Sequence, residues 1–164
     1  MSLHDLWSAL EQAPFAVLVR QNELVFPWIE SVHVLAIVLV VGTVFIVDLR
    51  LLGVASRGRP VTQLAREVLP CTWAAYGLAA CTGFLLFSSS AVAYANDLPF
   101  RLKMLTMALA GVNMLVFHFV PYRDVAHWDR SVRTPVGVRA AAGISMICWI
   151  AIVGFGRWVG FSLN

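Results

Sequence analysis

Four stretches of this chain are each long and apolar enough to cross a lipid bilayer, and that leaves few folds open to it. A helical crossing takes roughly 20 mostly apolar residues. The runs fall at about residues 27–52, 68–94, 99–122 and 138–161. Within 164 residues they leave room for one bundle and no separate soluble domain, so the chain reads as a single membrane domain, 1–164. Only 13% of the residues are charged, where a soluble domain carries about a quarter. The expected fold is all-α, an integral membrane four-helix bundle.

The ends of the runs support this reading. The first is entered through Phe26-Pro27-Trp28 and left at Asp48-Leu49-Arg50. The second has Trp73 near its start and Ser88-Ser89-Ser90 near its end, and the third opens on Pro99, a natural first-turn residue. Residues 2–20 have a different character. Leu3, Leu6, Trp7, Leu10 and Val17 recur at helical spacing, and Ser2 with Asp5 fits a capping box. This predicts an amphipathic N-terminal helix on the membrane surface, ended near Pro14 or by the polar stretch 20–23. A cap packed on neighbouring subunits would give the same pattern. No basic segment leading into an apolar core opens the chain, so no signal peptide is expected.

Lysines and arginines set the orientation. The loops after the first and third runs hold Arg50, Arg57, Arg59, Arg66, Arg123, Arg130, Arg133 and Arg139, against Arg20, Arg101, Lys103 and Arg157 on the other side. Eight against four makes the first side cytoplasmic, with both termini outside. In a bacterial inner membrane the termini would be periplasmic. The formal charge of +3 thus reads as topology, not nucleic-acid binding. Cys71, Cys81 and Cys148 all lie in apolar runs without a Cys-x-x-Cys pair, which argues for buried small hydrophobes over disulfides or a thiolate metal site.

Two runs contain histidine, and an ionisable side chain in hydrocarbon is costly enough to mark a functional site. Glu30, His33, Ile37, Val41, Val44 and Asp48 fall within an arc of about 80° on the first helix; Lys103, Thr106, Met107, Asn113, Met114 and His118 occupy about 140° on the third. Both stripes should face the interior. His33 lies ~9 Å in from the outer end and His118 ~27 Å, so their ~18 Å axial separation forbids one haem iron clasped between them. Two sites are expected instead. His4 on the surface helix shares the outer side with His33, and His127 shares the cytoplasmic side with His118. Arg157 and Arg101 outside, and Arg123 and Arg139 inside, are candidates for haem propionates, because the guanidinium fork binds carboxylates bidentately.

Other readings of the same residues stand beside this one. A lone intramembrane histidine can simply hydrogen-bond between helices. Glu30 and Lys103 have similar depths and would suit an ion pair. Met107 and Met114 read first as gap-filling residues, and Glu30-x-x-His33 as half of a di-iron motif lacking its second copy. Copper is the alternative metal, with His33, Glu30, His118 and methionines as donors. Removal of Met1 would expose Ser2-Leu3-His4, a spacing able to wrap Cu(II).

The segment Trp28-Ile29-Glu30-Ser31-Val32-His33, with Gly42 and Asp48-Leu49-Arg50-Leu51-Leu52-Gly53, resembles an uncharacterised family of bacterial four-helix membrane proteins. Pro70-x-x-Trp73, Thr82-Gly83, Phe100-x-x-Lys103 and the stretch Gly111 to His118 continue the likeness over most of the chain. More distantly, the His33 run and the Lys103–His118 run resemble the membrane haem-b protoporphyrinogen oxidase and the membrane domain of copper-resistance D proteins. The first of these resemblances implies a haem b ligated at His33 with Lys103 close by. The spacing to His118 and the N-terminal helix do not match that oxidase.

The sequence therefore leads to a membrane b-type cytochrome carrying electrons, with one or two haems b. The alternatives are a haem-dependent porphyrinogen oxidase, a copper-binding or copper-transporting protein, and a purely structural membrane subunit. Expected partners are membrane lipid, a redox donor and acceptor (a quinone or a small redox substrate), and further copies of the chain. Small residues one helical turn apart, Gly77 with Cys81 and Ala141 with Ser145, would allow close helix approach in lipid.

Overall fold

A computed structural model describes residues 3–131 and 133–163. The capping box on Ser2 and the copper motif of residues 2–4 therefore lie partly outside the described residues. The chain is all-α, and four helices are long and apolar enough to cross a membrane. In chain order they are α3 (Val25–Leu51), α4 (Val61–Ser89), α6 (Leu98–Phe119, continued by short turns to Trp128) and α8 (Val136–Ser162).

At the N-terminus, α1 (Leu3–Glu11) and α2 (Pro14–Gln21) replace the single helix expected there. The break precedes Pro14, whose ring favours the first turn of a new helix. Their apolar faces fold back onto the chain itself. Trp7 meets Phe87 edge-on at 5.5 Å, Phe15 meets Phe84 at 6.2 Å, and Ala16 and Val19 are buried. Val92, in the first turn of α5 (Ala91–Asn96), donates its N–H to Glu11 Oε1 at 2.8 Å.

The second spanning helix starts seven residues before the apolar run does. Its first turn is capped from a distant loop: Thr62 donates its backbone N–H to Asp129 Oδ1 at 2.8 Å and its hydroxyl to Oδ2 at 2.9 Å. The Val61 N–H is taken up by the Asp129 carbonyl. Its far end is broken at Ser90, after the Ser88 and Ser89 hydroxyls have bonded back to the Leu85 and Leu86 carbonyls. Asp97 then caps α6 by accepting from the Phe100 N–H at 3.0 Å, with Pro99 in the first turn as expected.

Packing is by hairpins. Helix α3 lies against α4, α6 lies against α8, and the hairpins meet along α3 and α8. The flanking helices α4 and α6 have no extended packing on each other, but approach at the end where α1 and α2 pack, with Phe87 and Phe100 stacked at 5.3 Å. The tightest apolar cluster is at the opposite, arginine-rich end: Leu51, Val61, Trp128, Val138 and Ala142. Elsewhere apolar side chains such as Leu35, Leu105 and Ile147 point outward, as expected where hydrocarbon is the solvent.

Candidate cofactor site

Two glycines and two ionisable residues define a layer near the end of the bundle on which α1 and α2 pack. His33 follows the start of α3 by about 12 Å, Lys103 the start of α6 by about 8 Å, and Gly83 and Gly156 precede the ends of their helices by about 9 Å. The four positions therefore share a depth, one on each spanning helix.

The imidazole of His33 lies directly on α4. A Cβ at Gly83 would come within 2.8 Å of its Cε1, so only glycine admits the ring here. Its Nδ1 is 2.9 Å from Thr82 Oγ1. The Thr82 hydroxyl gives its one proton to the Leu78 carbonyl at 2.7 Å, so towards the ring it is an acceptor. With the Thr82 proton on Leu78, Nδ1 is the donor of this pair and carries the ring proton; the Ala79 carbonyl offers the ring a further acceptor. With Nδ1 protonated, the neutral ring keeps its lone pair on Nε2. This is the arrangement in which metal-ligating histidines are held, the second nitrogen anchored to an oxygen.

Across the layer, Lys103 runs along α8, its Cε and Nζ 3.8 Å from where a Cβ of Gly156 would stand. Among the described residues it forms no ion pair; the pair within 4 Å is Arg59 with Glu67, on the other side of the bundle. The Glu30–Lys103 pair expected from depth is therefore not made, and Glu30 is exposed one turn above His33. An aromatic cluster roofs the layer: Phe87 stacks on Phe100, and Tyr94 touches both rings at 6.2 and 5.5 Å. Burial raises the Tyr94 phenol above its usual range, and the carboxylates of Glu30 and Asp97 add to the rise.

The remaining candidates are dispersed. Arg157 is exposed beyond this layer with its guanidinium 4.7 Å over Phe161, and Arg101 is exposed on the first turn of α6. His4 is exposed on α1. Towards the arginine-rich end His118 and Met114 face outward, although the stripe reading placed them inward. The physical reason is that α6 packs along its length on α8 alone, and a single neighbour cannot cover a 140° arc. The His118 ring stacks on Tyr122 at 5.5 Å and 19°. His127 is exposed on α7 (Val125–Trp128), and among the described residues no hydrogen bond or ring contact joins it to His118. Arg123 is exposed, and Arg139 lines a loop pocket with Arg57 and Arg133. No group of three or more His, Cys, Asp or Glu side chains able to hold a metal occurs among the described residues.

Sequence reasoning found His33 and Lys103 but missed what seats them. Thr82 and Gly83 lie on a different helix from either residue, 49 and 50 positions from His33, and the aromatic roof draws on three separate elements. Deeper in the bundle, Asn113 donates to the Ala141 carbonyl at 2.9 Å, and Asp48 is buried against Ser145 with Oδ2 unpartnered. These are interhelical contacts made where the stripes do face inward.

A membrane protein with four spanning helices and one seated intramembrane histidine is the class that this geometry defines. Residues 23–162 match the model of a family of unknown function, DUF6644, and the chain belongs to that family. No curated protein and no solved structure matches it.

Proposed function

We propose that this chain is a membrane b-type cytochrome that transfers electrons through a haem, which His33 Nε2 would hold in the outer half of the bundle. The observation that carries the reading is the hydrogen bond between His33 Nδ1 and Thr82, which would anchor the ring through Nδ1 and leave Nε2 free to bind the iron. Haem is favoured over copper by donor count. A macrocycle brings four nitrogens of its own and needs one or two from the protein, whereas a copper site made of side chains needs several converging donors. Among the described residues the chain offers one seated imidazole, and α4 and α6 have no extended packing on each other below the aromatic roof. Lys103, Arg101 and Arg157 are the cations available to propionates on this side.

When bound, haem b supplies one-electron chemistry; the chain supplies ligation, burial and charge. The exposed, stacked His118 gives a second haem no comparable seat, so the proposal rests on the outer site. We place the chain in a bacterial cytoplasmic membrane with both termini periplasmic, exchanging electrons with a quinone or another small redox partner.

The test is a visible spectrum, pyridine haemochrome and metal analysis of protein purified from haem-replete cells. About one haem b per chain is expected, abolished by His33→Ala, unchanged by His118→Ala and bound about 10–100-fold more weakly in Thr82→Val. A colourless protein, or one loaded with copper, overturns the reading. Two haems per chain, reduced to one by His118→Ala, would restore the cytoplasmic site.

A further inference from the structure

The arginine-rich end of the bundle is more ordered than its loop composition suggests. Arg50, fully buried, binds three loop carbonyls: Nε donates to Arg59 at 2.8 Å, and Nη2 donates to Asp129 at 3.2 Å and Ser131 at 3.4 Å. The Thr134 hydroxyl donates to the Leu51 carbonyl, and Asp129 caps α4. The two loops on this face, 52–60 and 129–135, are thereby stitched to one another and to the helix ends.

Between them lies a pocket of about 420 Å³ lined by Arg57, Arg133, Arg139, Thr134, Leu52 and Gly53. Three arginines line it, and no carboxylate is among its lining residues. Three acids of this face are engaged elsewhere: Asp129 with Thr62, Glu67 with Arg59 and Gln63, and Asp48 with Ser145 inside the bundle; Asp124 is exposed on the turn after α6 and does not line the pocket. Among the described residues no carboxylate lies within 4 Å of these three arginines. Helix α8 begins beside the pocket at Val136, its N-cap Pro135 giving no side-chain cap, so the positive end of a 27-residue helix adds to the field. Like guanidiniums held together by a rigid frame repel each other unless an anion lies between them, and guanidinium geometry favours bidentate phosphate oxygens.

We propose that this pocket binds a phosphate-bearing anion through Arg57, Arg133 and Arg139. Leu52 and Gly53 directly follow the end of α3, so the pocket opens at headgroup depth, and the phosphate of an anionic phospholipid is one source. Free phosphate is the other.

The test uses the full chain with two charge-matched variants, Arg133→Gln/Arg139→Gln in the pocket and Arg66→Gln/Arg130→Gln outside it. Each is reconstituted in phosphatidylcholine nanodiscs doped with phosphatidylglycerol, and retained lipid is counted by native mass spectrometry. Inorganic phosphate is titrated separately by calorimetry in neutral detergent. At about fivefold per arginine, the pocket variant should lose roughly 25-fold in anion affinity and the outer variant less than about threefold. Arg139→Lys, which keeps charge but loses the fork, should fall between wild type and the pocket variant. It also carries the test if the double variant does not fold. Retention of phosphatidylglycerol without phosphate binding assigns the site to lipid; phosphate binding assigns it to the free anion. Equal losses in the two double variants, or no preference of the wild type for phosphatidylglycerol or phosphate, overturn the proposal.

Discussion

Gly83→Ala isolates the seat of His33 with one methyl group. The new Cβ would stand 2.8 Å from His33 Cε1, where ordinary contacts begin at 3.4 Å, so the imidazole must retreat by about 0.6 Å or the helices must part. Overpacking of this kind costs about 1–3 kcal/mol. Alanine is itself favoured over glycine inside a helix by about 1 kcal/mol, which offsets part of the loss. Gly77→Ala, on the same helix with nothing within 4 Å of its Cβ, gains the same propensity without a clash. The difference between the variants is therefore the seat alone, about 1–3 kcal/mol. The assay is paired thermal unfolding in one detergent together with haem content per chain. Gly77→Ala should melt at or above wild type and keep its haem; Gly83→Ala should melt below Gly77→Ala and bind haem more weakly. Two variants that behave alike would refute the close approach of His33 to α4.

Three further outcomes are expected. Asp129→Ala removes both bonds that cap α4 across the loops and should cost about 2 kcal/mol, read as a lower melting temperature and faster proteolysis in the 52–60 loop, whereas the exposed Asp124→Ala should stay within about 0.5 kcal/mol. Tyr94 keeps its proton longer in the folded chain than in the unfolded one, so its contribution to stability is constant at neutral pH and falls as pH rises past about 10; in Tyr94→Phe, a pH series of unfolding should lose that component of the alkaline decline. The face of α4 bearing Gly77 and Cys81 is exposed, so a self-associating bundle should lose its dimer or higher oligomer in Gly77→Leu, measured as mass in mild detergent and in nanodiscs.

The four spans were legible because hydropathy is a local, additive property: any run near 20 apolar residues must be covered by lipid or protein wherever the chain takes it. Pro99 at the start of α6 and the serine run closing α4 were readable for the same reason, since each acts within one turn. His33 and Lys103 could be singled out because an ionisable group in such a run is costly in any tertiary setting. Helical periodicity also put Asp48 and Asn113 on faces that meet another helix.

What periodicity could not supply was the number of neighbours each helix has. It assigned His118 and Lys103 to one stripe, yet Lys103 and Asn113 turn towards α8 while Met114 and His118 do not, because α6 packs along its length on α8 alone. Nor could it pair residues from different helices. The tautomer of His33 depends on Thr82, 49 positions away, and the start of α4 on Asp129, 67 positions away. Those contacts exist only once the hairpins have closed. The sequence alone determined the solvent of each segment and which groups must find partners; the tertiary structure decided which partners they found.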